Sequence, residues 1–312
     1  MPEVSVIVPA RNASATLGAT LAALAAQDFA GEYEVVVVDN ASHDPTPEIA
    51  ERAPGVRLLR NARDLGAAGS RDRGARESAS AVLAFTDADC EPAPDWLTRG
   101  VAALAHADLV QGAVRPTPGV VVGPWDRTVT VADETGLFET ANLLIRREAY
   151  ERAGGFPSFL DGTGPGLRPK VGEAPFGEDT LFGWRARAAG ARIAFAPDAL
   201  VHHAVFPRDA AGHLRERTRM RFFPALIRAA PGLDARLTHR IFLSRRTAAF
   251  DAALAGVATA LATRRLLPLL AALPYARLLN RSRRTAAVDL AADAITCAAL
   301  ARGSVAARKP VL

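Results

Sequence analysis

Two carboxylates one residue apart, Asp87 and Asp89, close the apolar run Ala81-Val82-Leu83-Ala84-Phe85. The run reads as a buried strand, bounded downstream by Pro92 and Pro94. In extended backbone, side chains two residues apart share a face, so the pair is expected to converge on one site. Like charges that close repel, and at a water-poor sheet mouth they need a cation or take up a proton. Hard divalent ions with oxygen ligands answer that need and usually bring a phosphate with them. The competing reading is a polar strand end running into a helix cap, because Asp is common in turns.

The elements that must carry this pair are legible upstream. Val4 to Val8 is a short β-rich run ending at Pro9-Ala10-Arg11-Asn12, and a helix is expected from about Ser14, with Leu17, Leu21 and Leu24 on one face. Four valines, Val35 to Val38, read as a strand buried on both faces, with Asp39 at its carboxyl end. A short helix from Pro45 to Ala53, a third strand at Val56–Arg60 and a glycine- and alanine-rich helix from about Gly66 to Ser80 precede the strand that leads to Asp87. This alternation predicts an open α/β sheet. Ligands of such sheets bind beyond the carboxyl ends of the strands, where Asp39, Asp87 and Asp89 all fall.

Composition narrows the class. The 312 residues suffice for one large domain, or for a medium domain with an appendage, and 49% hydrophobic content supports a sizeable core. A net charge of +5, carried mostly by arginine, favours nucleic acid, anionic membranes or phosphate-bearing substrates. Cys90 and Cys297 lie far apart, so neither a disulfide framework nor a zinc site is expected. No basic-then-apolar leader precedes Val4, and the expected location is cytoplasmic. Neither G-x-G-x-x-G nor G-x-x-x-x-G-K-[ST] follows any strand, which disfavours a dinucleotide dehydrogenase or a P-loop NTPase.

Four segments in order resemble the family 2 glycosyltransferases. Val6 to Asn12 is similar to that family's opening strand and turn, and Val36 to Ser42 to its second strand, whose aspartate reads the nucleotide base. Leu65 to Gly74 resembles its glycine-rich helix start with an arginine facing the nucleotide, although Asp72 stands where asparagine is usual. Thr86-Asp87-Ala88-Asp89 matches its D-x-D. Downstream, Glu139 to Arg147, Gly177 to Arg185 and Ala191 to His203 resemble the strand before the acceptor region, the E-D helix start and a closing strand pair. The resemblance implies the GT-A fold, a Rossmann-like open mixed α/β sheet flanked by helices, here with an α-helical C-terminal extension. It divides the chain into a catalytic domain, 1–205, with a nucleotide-sugar half to about 115 and an acceptor half after it, and a region 206–312.

The reaction so implied is inverting transfer of a sugar from a nucleoside-diphosphate-sugar to an acceptor hydroxyl. Asp179 would be the general base, with Glu178 beside it orienting the acceptor or capping the helix. Pro9, Ala10, Arg11, Asp39, Arg71, Asp87, Ala88 and Asp89 would bind the donor, and Asn142 and Trp184 would lie on the acceptor side. Asp89, Asp87 and His203, with His202 as a weaker alternative, would hold Mn²⁺ or Mg²⁺. A nucleotidyl or glycosyl-phosphate transferase, or a catalytically silent nucleotide- or glycan-binding protein, remains open on the same sheet. Pro157 to Pro175 reads as a long loop near the site, with Arg168 and Lys170 able to meet a phosphate-bearing acceptor.

After about Phe206 arginines interleave with apolar residues. Two apolar stretches follow, Ala248 to Ala262 and Leu266 to Leu279, each short of the ~20 residues that span a bilayer. Flanking Arg245, Arg246, Arg264, Arg265, Arg281, Arg283 and Arg284 suit a surface-lying hairpin at the inner face of the cell membrane. An alanine-rich helical subdomain or a dimer interface is the alternative. No recognition motif supports nucleic acid.

Overall fold

The computed structural model describes residues 2–156, 177–230, 232–281 and 285–312. The stretch from Pro157 to Pro175, with Arg168 and Lys170, lies outside the described residues, as do Arg283 and Arg284. The chain forms two compact units: one from residues 2–122, 127–156 and 177–206, the other from 123–126 and 207–312.

The first unit is built on one eight-stranded sheet. Its elements are β1 (Val4–Ala10), α1 (Leu17–Ala25), β2 (Tyr33–Asp39), α2 (Thr46–Arg52), β3 (Val56–Arg60), α3 (Gly66–Glu77), β4 (Val82–Phe85), β5 (Cys90–Pro92), α4 (Trp96–Ala103), β6 (Leu109–Pro116), β7 (Leu143–Arg146), α5 (Arg147–Arg152), α6 (Glu178–Ala188) and β8 (Ile193–His203). The strand order is β3-β2-β1-β4-β7-β6-β8-β5. The first four strands are parallel, and β7 is antiparallel to both β4 and β6. Val35 to Val38 are buried on both faces, as an unbroken apolar run in a parallel sheet requires. Strand order reverses between β1 and β4, and that reversal opens a crevice beyond their carboxyl ends.

Small residues in α3 set how closely it lies on the sheet. A Cβ at Gly74 would meet Ile7 Cγ2 at 2.6 Å and Val38 Cγ2 at 3.1 Å, so only glycine admits this approach. The helix ends at Glu77, three residues short of the expected Ser80.

The closing strand pair expected over Ala191 to His203 is one strand, β8, with an irregularity. Gly112 of β6 pairs with Ala196 and Ala113 with Leu200, so Pro197-Asp198-Ala199 bulges out of the ladder. Proline lacks the N–H that a continuous ladder needs there. Beyond the bulge β8 also pairs antiparallel with β5, setting Cys90 opposite His203.

Asn142 ties these strands together. It is fully buried, donates from Nδ2 to the carbonyls of Ala113 (2.8 Å) and Ala199 (2.7 Å), and accepts from Trp96 Nε1 (2.8 Å). A side chain on Gly112 would collide with that amide and with the Ala199 carbonyl, which explains the glycine.

The second unit is helical: α7 (Ala210–Arg217), α8 (Phe223–Ala229), α9 (Arg245–Thr263), α10 (Leu273–Arg281) and α11 (Ala286–Ala307), with short 3-10 turns between them. A capping box of Ser244 and Thr247 starts α9, and Arg264, in the left-handed conformation at φ 53°, ends it. The second apolar stretch is a 3-10 segment, Leu267–Ala272, that runs directly into α10. Each has its proline in the first turn, Pro268 and Pro274, where no N–H is missed. Phe250, Ala253 and Tyr275 form a small core, and Asp293 of α11 binds both Arg246 (2.8 Å) and the Tyr275 hydroxyl (2.7 Å).

Replacing Asn142 with Leu strands two carbonyls and an indole N–H in the core. The expected loss is about 3–5 kcal/mol of unfolding free energy, measured by urea denaturation.

Candidate functional site

A cleft of about 670 Å³ occupies the crevice where strand order reverses. The end of β1 contributes Pro9 and Ala10, followed by Arg11; the start of α3 contributes Gly66, Ala67 and Arg71; the segment after β4 contributes Asp87, Ala88 and Asp89. Glu178 at the start of α6 and His203 at the end of β8 complete the set of expected residues that line it. Asp39, Asp179, Asn142, Trp184 and His202 do not.

Asp39 is buried (2% exposed), and its Oδ1 accepts the backbone N–H of Ser42 at 3.3 Å. The cleft is lined instead by its neighbour Asn40 and by Asp64. Asn40 Nδ2 donates to Asp64 Oδ1 at 2.5 Å, and Arg11 pairs with the other oxygen of the same carboxylate. Trp184 is buried, donating to the Gly136 carbonyl at 2.9 Å.

Asp87 and Asp89 do not sit on a continued strand. β4 stops at Phe85, and the pair lies in a turn before β5 in which Cys90 N–H donates to the Asp87 carbonyl at 3.2 Å. The two carboxylates find different partners. Arg71 Nη2 donates to Asp87 Oδ1 at 2.5 Å, with the guanidinium side chain only 6% exposed. His203 Nε2 stands 3.6 Å from Asp89 Oδ1.

Each charge is set by its surroundings. Burial works against the charge on Arg71, but Asp87, Glu178 and Asp179 outweigh it and hold the guanidinium above its ordinary value. Burial and then Asp87 push the Asp89 carboxyl upward, against His203 and Arg127. Burial and the neighbouring Glu178 push Asp179 up to about 8, opposed by the Thr180 N–H and Arg71. That N–H donates to Asp179 Oδ1 at 2.7 Å.

Asp89, Cys90 and His203 lie close enough to hold one metal ion, their donor atoms falling within 4.8 Å of one another. The three are not equivalent. Burial holds the Cys90 thiol well above its ordinary value, so it keeps its proton and is a poor ligand for a hard ion. His203 Nδ1 is 2.6 Å from the Ala204 carbonyl, which can only accept, so Nδ1 carries the proton. In the neutral ring, Nε2 then offers a lone pair toward a carboxylate oxygen. Two acceptors facing each other at 3.6 Å call for a cation or a proton between them, and an oxygen–nitrogen donor pair suits a divalent ion.

Arg127 is a cleft residue that sequence patterns did not indicate. Its guanidinium lies over the Phe206 ring, 4.6 Å from the centroid, and the two residues exchange backbone hydrogen bonds at 2.9 Å in both directions. It falls in a stretch without periodicity, so no sequence signal marks it. Asp64 had one: it stands two residues before the helix-opening Gly66, in the loop that follows the carboxyl end of β3.

Glycosyl transferase family 2 matches residues 5–160 of the chain. Glycosyltransferase AglE of Haloferax volcanii is 31% identical over 222 residues, which cover 66% of this chain and 68% of AglE. The chain belongs to glycosyltransferase family 2. An N-acetylglucosaminyltransferase of Bradyrhizobium elkanii is 31% identical over 115 residues, covering 35% of this chain and 63% of that relative, just under two thirds of its length. Among solved structures, mannosyltransferase PcManGT from Pyrobaculum calidifontis, in complex with GDP-Man and Mn²⁺, superposes with a TM-score of 0.63 at 23% identity, covering 97% of this chain and 87% of PcManGT. S. aureus TarS 1-349 with UDP-GlcNAc gives 0.52 at 22% identity, covering 75% of this chain and 69% of TarS. These likenesses are of fold, and the mixed sheet with its flanking helices is the GT-A fold of a glycosyltransferase.

Substituting Arg71 with Met leaves Asp87 without its partner. The protein is expected to lose about 2 kcal/mol of stability in urea denaturation, with Arg71→Lys recovering part of it.

Proposed function

We propose that this family 2 glycosyltransferase moves a sugar from a nucleoside-diphosphate-sugar to an acceptor hydroxyl in one inverting displacement. The observation that carries the reading is the cleft at the strand-order reversal, where Asp87, Asp89 and Glu178 meet Arg71 and Arg127. The nucleotide-sugars held by PcManGT and TarS support a donor of the same class. In this reading residues 1–205 form the catalytic domain, with the donor half to about 115. The region 206–312 is peripheral at the inner face of the cell membrane.

Pro9, Ala10, Arg11 and Arg71 lie along the donor side of the proposal with Asn40 and Asp64 as cleft residues, and Asp39, buried beside Asn40, keeps a donor-side place without lining the cleft. Arg71 and Arg127 bring positive charge to where a diphosphate would leave, in a site where burial strengthens each interaction. The Asp179 carboxylate accepts the acceptor's hydroxyl proton as the bond to the anomeric carbon forms. Glu178, adjacent in sequence and lining the cleft, orients the acceptor and raises the proton affinity of Asp179. Asp89 and His203, with Asp87 contributing through bound water or ribose, would hold Mn²⁺ or Mg²⁺, which supplies positive charge to the leaving diphosphate. The thiol of Cys90 stays outside that set.

Release of nucleoside diphosphate from a panel of UDP-, GDP- and dTDP-sugars tests the activity. No release with any donor would turn the reading toward a silent binding protein. Asp179→Asn is expected to keep donor binding while lowering transfer by about 10²–10⁴-fold. A carboxyl held at about 8 is mostly protonated at neutral pH. Transfer by the wild type should therefore climb as pH rises toward and through 8, and that limb should vanish in Asp179→Asn. The same upward displacement from 3.8 means the folded protein retains a proton the unfolded chain gives up, so this group costs stability as pH rises from about 4 to about 8.

Chelation with EDTA should stop transfer, with Mn²⁺ restoring it. Asp89→Asn should abolish the Mn²⁺-dependent part of donor binding in calorimetry, and unchanged metal dependence in that variant would remove Asp89 from the ligand set.

A further inference from the structure

The hairpin formed by α9 and the following 3-10 segment presents its apolar residues outward. Leu254, Val257 and Leu261 recur at helical spacing along α9, and Leu266, Leu267, Leu270 and Leu273 continue the apolar surface on the returning arm; all are exposed. At the bend, residues 261–267 are exposed without a break, with Leu261, Leu266 and Leu267 at 76%, 81% and 73%. The two arms are firmly joined. A Cβ at Gly256 would meet the Pro268 carbonyl oxygen at 2.5 Å and Ala271 Cβ at 3.0 Å, so glycine lets the backbones close. The leucines are therefore held outward by packing on the inner side.

Charge selects among the surfaces that could cover this patch. From residue 252 to 288 the sequence contains six arginines, Arg264, Arg265, Arg277, Arg281, Arg283 and Arg284, and no Asp or Glu. Arg264 and Arg265 sit at the bend and, with Val257, Leu261 and Leu266, border a notch of about 280 Å³. A second copy of the chain would set arginine against arginine. A folded protein partner would need a concave surface shaped to a protruding tip, whereas a fluid bilayer accepts any shape. Apolar side chains beside a one-signed basic cluster match the interfacial zone of an anionic membrane.

We propose that the α9 hairpin tip, Leu261 to Leu267, inserts into the headgroup–acyl boundary of an anionic lipid bilayer, with Arg264 and Arg265 binding lipid phosphates. This extends the peripheral placement above by naming the segment and the lipid charge. Among the described residues one helix, α11, is long and apolar enough to cross a membrane. It carries Asp289 and Asp293, the latter bound to Arg246 and Tyr275, and it buries Ala292, Thr296, Ala299, Leu300 and Gly303 within its own unit. The inserting segment is therefore placed at the hairpin tip.

Flotation of the full chain with phosphatidylcholine vesicles, with and without about one third phosphatidylglycerol, tests this. The wild type is expected to float with the anionic vesicles and to float less as salt is raised. Leu266→Glu/Leu267→Glu should lower the bound fraction about tenfold or more. Arg264→Glu/Arg265→Glu should remove the preference for phosphatidylglycerol. Leu261→Ser, a milder change, should weaken binding in the same direction. Melting temperature and nucleoside diphosphate release should match the wild type in all three. A wild type left in the soluble fraction with anionic vesicles overturns the proposal. So do variants that float unchanged, or a wild-type dimer that the leucine variants convert to monomer in sedimentation. Flotation and sedimentation do not depend on catalysis, so failure there leaves the glycosyl-transfer reading standing.

Discussion

A single buried guanidinium, Arg71, holds together the carboxylates around the cleft of the first unit. It binds Asp87 at 2.5 Å and feels the negative charge of Glu178 and Asp179 as well. An isolated charge at that depth would be strongly disfavoured, so the carboxylates are a condition of its burial. Its position follows from packing on two sides. Gly74 and Ala75 let α3 press onto β1 and β2, and the ring of Phe156 lies 5.9 Å from the guanidinium carbon. Phe156 in turn packs with Phe85, Tyr150 and Phe182. Asp72, which departs from the family's usual asparagine, has a job in this frame: it accepts from the Tyr150 hydroxyl at 2.8 Å and pairs with Arg76 at 2.9 Å, fastening α5 to α3.

Negative charge exceeds positive charge around that centre, and the surplus falls at two places. Arg71 serves Asp87 directly and Asp179 at a distance, leaving Asp89 to His203 and Arg127. Both Asp89 and Asp179 are consequently displaced upward, each by burial first and by a neighbouring carboxylate second. The chemical results differ. At Asp89 the surplus sits beside an imidazole nitrogen, an arrangement that attracts a cation. At Asp179 it sits beside Glu178 at a helix start, an arrangement that brings a carboxyl's proton affinity close to neutrality, where a base is most effective.

The fold was largely legible because its signals are local. Four consecutive valines, the Leu17-Leu21-Leu24 face and alternating strand and helix lengths each report on a few adjacent residues, and each corresponds to an element. The bulge in β8 was missed because Pro197 reads equally as a strand break or as an interruption within one strand. Half of the cleft was legible too: the pair Asp87 and Asp89 follows a strand's apolar run, and Pro9, Arg11 and Arg71 fall in segments that resemble the family's opening turn and glycine-rich helix. Asp39 shows where that logic stops. A carboxylate at a strand end can turn back to cap its own loop, as its bond to the Ser42 N–H does, and leave the cleft to Asn40. Asn142 is the sharper case, since the resemblance of its segment to an acceptor-side strand implied a binding role while its hydrogen bonds close the sheet. Nothing local distinguishes the two uses of such a residue; only the carbonyls brought to it by β6 and β8 do.

The choice between His202 and His203 is a matter of register. Neighbouring residues on a strand point to opposite faces, so a one-residue slip of β8 against β5 would exchange them. The pairing of Cys90 with His203, reinforced by the Ala204 N–H donating to the Asp89 carbonyl at 2.9 Å, fixes the register. Pro92 opposite Val201 ends the short strand, and the ladder of β8 with β6, which sets Arg115 opposite His202 and Pro116 opposite His203, holds β8 itself in register. Cys90 itself is fully buried, which anchors β5 from below by burial of an apolar-like side chain. The long ladder with β6 and the short one with β5 together turn His203 toward Asp89, and the buried Cys90 side chain helps hold β5 in place.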